Sequence, residues 1–147
     1  IEFVKITLHV GAGTFLPLTN SVLKKNHLHE ERGIISEKVA DKIITAKKNG
    51  IKIIAVGTTV LRLLESCHLK FKKIQAYDES TSLFITPGFK FNVVDKLITN
   101  FHLPKSSLMI LVSAFAGREK IFKLYRKAIK TNMRFFSYGD AMILDKK

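Results

Sequence analysis

The sequence predicts an α/β domain in which a mainly parallel sheet is flanked by helices, and three observations predict it. Short apolar runs rich in β-branched residues, such as Ile51 to Val56, read as buried strands. Stretches of helical period, such as Val39 to Ala46, separate them. Glycine turns at Gly11, Gly57 and Gly88 stand where strands end and the chain leaves the sheet. With 147 residues, 46% of them apolar, the chain is long enough for one real core and too short for two full domains.

Phe3 to Val10 alternates, with Val4, Ile6, Leu8 and Val10 on one face and Phe3, Lys5, Thr7 and His9 on the other, which is the period of a strand. Gly11-Ala12-Gly13-Thr14 breaks it. From Asn20 to Gly33 the residues are polar and charged without a clean period, which predicts a loop or irregular excursion. Ser36 is placed to cap a helix carrying Val39, Ile43, Ile44 and Ala46, stopped by Asn49-Gly50. Ile51 to Val56 is a central strand, Gly57-Thr58-Thr59 a turn, and Val60 to Leu69 a helix. Lys73 to Tyr77 and Ser82 to Ile85 read as strands, Pro87-Gly88 as a turn, and Phe91 to Phe101 as a mixed segment. Ser106 or Ser107 caps a very apolar helix ending near Gly117, and Glu119 to Lys130 is amphipathic with Ile121, Phe122, Tyr125 and Ile129 inward. Arg134 to Tyr138 and Ala141 to Leu144 read as a last strand pair.

Lys and Arg number 25 against 12 Asp and Glu, a formal charge of +13, and such a surplus attracts polyanions: nucleic acid, nucleotide phosphates or an anionic membrane. One cysteine, Cys67, excludes an internal disulfide and a zinc finger and fits a reducing cytoplasm. The longest apolar runs, such as Leu108 to Phe115, fall short of the roughly 18 residues of a membrane span. The chain opens on Ile1 in a strand-like pattern, which is expected of a piece of something longer.

Ligands of open α/β sheets bind beyond the carboxyl ends of the strands. His9 with Gly11 to Thr14, Gly57 to Thr59, Pro87-Gly88 and Tyr138 to Asp140 each follow a predicted strand, so four segments are expected on one rim. Gly57-Thr58-Thr59 leads into a helix whose free N–H groups suit an anion, with Arg62 one turn on; a plain glycine turn with a threonine N-cap explains the same residues. Gly11-Ala12-Gly13-Thr14 lacks both the third glycine of a dinucleotide fingerprint and the lysine of a P-loop. His29 and Glu31 are candidates for acid/base or orienting roles, with solvated loop residues as the alternative, and no second paired cluster supports a metal site. Pro104 forces His102-Leu103 toward extended geometry, which can aim the His102 imidazole, or the nearby Asn100 amide, out of the fold. Phe122 and Tyr125 are expected in the core rather than as base-stacking platforms.

Ile6 to Phe15, Ala55-Val56-Gly57-Thr58-Thr59, Phe84-Ile85 with Pro87-Gly88, Leu97 to Ser106, Leu111 to Gly117 and Arg134 to Met142 closely resemble the S-adenosylmethionine:tRNA ribosyltransferase-isomerase family. Order and spacing agree over nearly the whole chain. The resemblance implies an enzyme of queuosine biosynthesis that moves the ribosyl part of S-adenosylmethionine onto 7-aminomethyl-7-deazaguanine in tRNA and isomerises it to the epoxycyclopentanediol of epoxyqueuosine. It implies an α/β domain with a small inserted β-barrel, of which residues 1–147 are the C-terminal portion, without the barrel. The implied partners are tRNA, S-adenosylmethionine as ribosyl donor and a complementing N-terminal half; no metal and no membrane is called for, and the cytoplasm is the expected compartment. Val60-Leu61 departs from the Ser-Val pair usual at that place.

The chemistry asks for a base to remove the proton beside the sulfonium, donors for the departing adenine, and exclusion of water. His9, His29, His102 and Glu31 are the candidate catalytic residues, the histidines as groups able to exchange protons near neutral pH. Gly11, Gly13, Thr14, Gly57, Thr58, Thr59, Arg62, Asn100, Tyr138 and Asp140 are the candidate donor-binding residues. Two other readings remain: a non-catalytic remnant or half of a split enzyme that only binds tRNA, and a phosphate-binding hydrolase built on the two Gly-Thr loops.

Overall fold

The computed structural model describes residues 1–11 and 27–147, apart from the side chains of His27 and His29. In chain order the described elements are β1 (Thr7–His9), β2 (His27–Ile35), α1 (Glu37–Lys48), β3 (Ile54–Val56), α2 (Thr58–Phe71), β4 (Tyr77–Leu83), β5 (Lys96–Asn100), α3 (Ser107–Ala116), α4 (Arg118–Lys130) and β6 (Ala141–Asp145). They form a mixed α/β fold with two three-stranded sheets, β1-β2-β4 and β3-β5-β6.

The expected mainly parallel sheet is corrected. Among the described residues only β3 and β5 pair in parallel; β1-β2, β2-β4 and β5-β6 are antiparallel. Alternation of strand and helix predicts crossovers, but it does not say which sheet a strand joins. Here β4 leaves α2 and joins β2 instead of returning to β3.

Helix α2 lies between the sheets and is buried on most of its circumference, from Thr58 through Cys67. Leu61, Leu63 and Leu64 supply its apolar contacts. Gly33 of β2 marks how closely the first sheet approaches: a Cβ there would lie 2.3 Å from Leu63 Cδ1, so a larger residue requires the side chains of Leu63 and Leu8 to shift. On the other side, Ala55, Leu97, Met142 and Leu144 pack into the common core with Val112 and Phe115 of α3.

Two helices stand where a preceding serine and a following stop predict them, although the Ser36 side chain makes no capping hydrogen bond among the described residues. Ser36 precedes α1, Asn49 closes it, and the Ser106 hydroxyl accepts from Met109 N–H at 3.1 Å to cap α3. Four strand expectations and one helix face are corrected. The described part of the expected excursion from Asn20 to Gly33 is the strand β2, and the part from Asn20 to Asn26 lies outside the described residues. The inward positions of β2 are Glu31, Gly33 and Ile35, of which only the last reads as core, so the alternation is hidden. One strand, β4, runs through the polar residues Asp78 to Ser82 where two were expected on either side, and β5 emerges from the mixed segment. Arg134 to Tyr138 is a turn with Phe136 at φ 68°, not a strand. On α4, Ile121, Tyr125 and Ala128 face inward while Phe122 and Ile129 are exposed, so the buried stripe lies slightly round from the expected one.

Candidate functional site

Parallel β3 and β5 deliver their C-terminal ends to the same end of the sheet, and antiparallel β6 begins there, with Ala141 opposite Asn100. This places the Gly57 turn, the Asn100 to His102 segment and the Tyr138 to Asp140 loop together. Gly57 holds φ 96°, a conformation that favours glycine, while its N–H donates to Ile98 O at 2.8 Å. Gly57 at the N-cap has no side chain to cap α2 and none of the described residues does so, so its first turn offers backbone N–H groups and the positive end of the helix dipole. Thr58 is buried and Thr59 half-buried there.

Thr58, Arg62 and Ser66 follow one another at intervals of four along α2 and face the other sheet. Arg62 Nη1 donates to Glu31 Oε2 at 2.8 Å and Nε donates to Leu83 O at 3.1 Å. Both residues of the pair are buried, Arg62 at 3% exposure and Glu31 at 2%. The third guanidinium nitrogen, Nη2, is buried with no hydrogen-bond partner among the described residues. Burial pushes the Arg62 pKa down, and the charge and hydrogen bond of Glu31 pull it back up. Ser66 Oγ and Thr81 Oγ1 share a hydrogen bond of 2.6 Å in the same buried layer.

His102 Nε2 lies 3.0 Å from Thr99 Oγ1, and the His102 backbone N–H donates to Tyr125 Oη at 2.7 Å. Burial of the imidazole lowers its pKa to about 4. Burial thus disfavours the charged form of the His102 ring, while its Nε2 engages Thr99.

Asn100 Nδ2 donates to the carbonyls of Gly139 and Asp140, each at 3.3 Å, which ties the end of β5 to the loop before β6. Asp140 Oδ2 accepts from Arg134 N–H at 2.7 Å and closes the same loop. Tyr138 is 97% exposed at its tip. The single four-segment rim is not formed as expected, because His9 and Gly11 belong with the other sheet: His9 is exposed opposite Arg32, and Gly11 runs alongside Glu30. The Pro87-Gly88 turn likewise follows β4 of that sheet. Gly13, Thr14 and the side chain of His29 lie outside the described residues.

Sequence reasoning passed over Ser66, Thr81, Thr99 and Glu65. Ser66 was legible as the residue one turn beyond Arg62, whereas Thr81 acquires meaning only once β4 pairs it opposite Glu31. Two surface grooves, of about 560 and 360 Å³, lie elsewhere, along α4 and between α1 and residues Lys73 to Ala76. No described helix is long and apolar enough to cross a membrane.

Residues 1–144 match a family described as queuosine biosynthesis protein. An S-adenosylmethionine:tRNA ribosyltransferase-isomerase of Treponema denticola is 51% identical over 98% of this chain and 42% of its own length. The protein of that name from Agrobacterium fabrum is 49% identical over 100% of this chain and 40% of its own. A crystal structure of S-adenosylmethionine tRNA ribosyltransferase from Thermotoga maritima superposes with a TM-score of 0.79 at 39% identity, over 97% of this chain and 44% of that one. The chain thus spans about two-fifths of the length of the curated relatives it matches.

Proposed function

This chain belongs to the queuosine biosynthesis protein family, and on that premise we propose that it forms part of an enzyme transferring and isomerising the ribosyl moiety of S-adenosylmethionine onto 7-aminomethyl-7-deazaguanine in tRNA, giving epoxyqueuosine. In this reading it is the C-terminal portion of the α/β catalytic domain. The observation that carries the site is Arg62 Nη2: a buried guanidinium nitrogen with no hydrogen-bond partner among the described residues, one turn from a helix N-terminus that no described side chain caps. Such donors suit a carboxylate or a phosphate, so the α2 N-terminus with Thr58, Thr59 and Arg62 holds the methionine carboxylate of the donor or a tRNA phosphate.

Glu31 then positions Arg62 rather than acting as the base, because its Oε2 is committed to Nη1. Neutral His102, fixed through Nε2 by Thr99, keeps Nδ1 for a hydrogen bond to the departing adenine. Asn100 and Asp140 shape the loop that flanks this end of the sheet. The base that removes the proton beside the sulfonium is His9 or His29, on the other sheet.

The alternative reading, a truncated, non-catalytic remnant or one half of a split enzyme that only binds tRNA, is not favoured by relatives that all carry the enzyme's name. One experiment separates the two. The purified chain is incubated with S-adenosylmethionine and precursor tRNA, alone and with the portion of the Treponema denticola relative it does not span, and released adenine and modified nucleoside are measured. Alone, the chain is expected to release no adenine, since a site open on one side loses orientation and admits water. With the complement, coupled release is expected. Inactivity of the reconstituted pair, with both parts folded, favours the remnant.

A further inference from the structure

Helix α4 carries six cations, Arg118, Lys120, Lys123, Arg126, Lys127 and Lys130, against one carboxylate, Glu119. All seven are exposed, so a single helix of 13 residues presents a net charge of +5 out of the chain's +13. Elsewhere on the surface cations are matched: Arg32 pairs with Asp78, Lys42 with Glu2, Lys70 with Glu79 and Lys96 with Asp145. No cation of α4 makes an ion pair among the described residues. Lys123 and Lys127, and Arg126 and Lys130, stand four apart, where like charges repel across a helical turn. The helix forgoes stability by keeping them, and a bound polyanion offsets that repulsion.

The same face holds an aromatic ring. Phe122 is 44% exposed, with the Arg118 guanidinium over its ring at 5.5 Å from the centroid. Arg118, Phe122, Arg126 and Lys130 recur at intervals of four and so form one row, about 18 Å long at the α-helical rise. Arg118, Glu119, Phe122, Lys123 and Arg126 line the groove along α4. The row flanks Tyr125, whose Oη accepts from the His102 N–H, so a strand laid along α4 leads toward the candidate site. We propose that this face of α4 docks the sugar-phosphate backbone of RNA, with Lys123, Arg126 and Lys130 on phosphates and the Phe122 ring against a base or ribose. An anionic membrane fits less well, because it calls for a broad apolar face, and the exposed apolar side chains here, Phe122 and Ile129, are two turns apart among cations. The choice of tRNA as the RNA rests on the reaction proposed above; the charge and the ring do not.

The test is binding of a fluorescent precursor tRNA transcript to the chain, measured from about 50 to 200 mM salt. The variants are Lys123→Gln/Arg126→Gln and Phe122→Ala on α4, with Lys38→Gln/Lys48→Gln on exposed positions of α1 as a control that removes the same charge. Circular dichroism with thermal melting verifies that each folds. The α4 double variant is expected to bind at least ~10-fold more weakly at low salt, with a log-affinity against log-salt slope shallower by about 1.5, since two phosphate contacts are lost. The α1 double variant is expected to change affinity less than about 2-fold. Phe122→Ala is expected to weaken binding by roughly 5-fold with the slope unchanged, because stacking releases no counterions. Absence of wild-type binding, equal weakening by the two double variants, or wild-type affinity in the α4 double variant overturns the proposal. Wild-type affinity in Phe122→Ala overturns the assignment to RNA. So does capture of the chain by vesicles of anionic phospholipid that the α4 double substitution abolishes while tRNA binding stays unchanged. None of these readouts involves adenine release, so failure here leaves the proposed reaction standing, and an inactive reconstituted pair leaves this surface standing.

Discussion

Two carboxylates are buried against the same helix, and they are held in opposite ways. Glu65, on α2, accepts hydrogen bonds from the backbone N–H groups of Asn92, Val93 and Val94, each at 3.0 Å. Glu31, on β2, faces a guanidinium whose Nη2 has no hydrogen-bond partner among the described residues. Charge spread over three backbone donors is fully used in pinning the loop that leads into β5, so Glu65 is architecture. A buried cation with a donor left over has a capacity that the described residues do not use. The difference teaches that burial alone does not distinguish a structural charge from a functional one; the tally of its hydrogen bonds does.

The largest expected effect breaks the Glu65 side of the comparison. Glu65→Ala leaves three N–H groups of a largely buried loop without acceptors, each worth about 1–3 kcal/mol when orphaned. A loss of ~3–5 kcal/mol is expected in urea unfolding. Glu65→Gln keeps one acceptor oxygen, which suits Val93 and Val94, and is expected to lose less, ~1–2 kcal/mol. A Glu65→Ala protein as stable as wild type would show that the loop finds other acceptors.

Arg62 gives the complementary test. Arg62→Met strands a buried carboxylate, which costs ~3 kcal/mol when the partner of a buried pair is removed. Arg62→Lys preserves the charge but not the planar fork, so Nη2 is lost while Glu31 retains a cation. The lysine variant is expected to lose only ~1 kcal/mol of stability yet to weaken S-adenosylmethionine binding in the reconstituted protein, measured by calorimetry. Glu65→Gln should do the reverse, lowering stability without touching affinity. Equal affinity for Arg62→Lys and wild type would make the Arg62 pair as structural as Glu65.

His102 adds a pH dependence. Its folded pKa, about 4, lies below the ordinary value of 6.5, so the unfolded chain binds the extra proton first as pH falls. Stability from this group is complete above pH 6.5 and is lost as pH drops toward 4. With part of the ring still reaching solvent, ~2 kcal/mol is expected over that window. His102→Asn should flatten this part of the stability curve, measured by urea unfolding across that pH range.

The elements that were legible in the sequence are those whose periodicity and caps agree. Ser36 to Asn49 and Ser106 to Gly117 have a capping residue before an apolar period and a stop after it, and both helices stand where expected. The illegible ones have polar residues at inward positions. Glu31 sits inward on β2 because Arg62, 31 residues away, neutralises it; no local pattern announces a partner that distant. The same holds for Thr81 against Ser66. At the site, Gly57, Thr58 and Arg62 were readable from the strand-to-helix turn and one helical repeat, whereas the separation of His9 from them depends on sheet membership, which hydrogen-bond pairing between distant strands decides.

The smallest stability effect sharpens the comparison most finely. Thr58 and Thr59 open α2, and neither hydroxyl has a described hydrogen bond to the protein, so valine, of nearly the same shape, removes little from the fold. The double replacement Thr58→Val/Thr59→Val is expected to change stability by no more than ~0.5 kcal/mol. If the first turn of α2 is the anion cradle, those hydroxyls instead face the bound carboxylate or phosphate, where each neutral-to-charged hydrogen bond contributes about 1.5–3 kcal/mol. S-adenosylmethionine affinity in the reconstituted protein should then fall by roughly 10-fold or more, with the melting temperature nearly unmoved. A variant with unchanged affinity would confine the cradle to backbone N–H groups and Arg62. One that unfolds would place both threonines with Glu65, among the residues that hold α2 rather than those that use it.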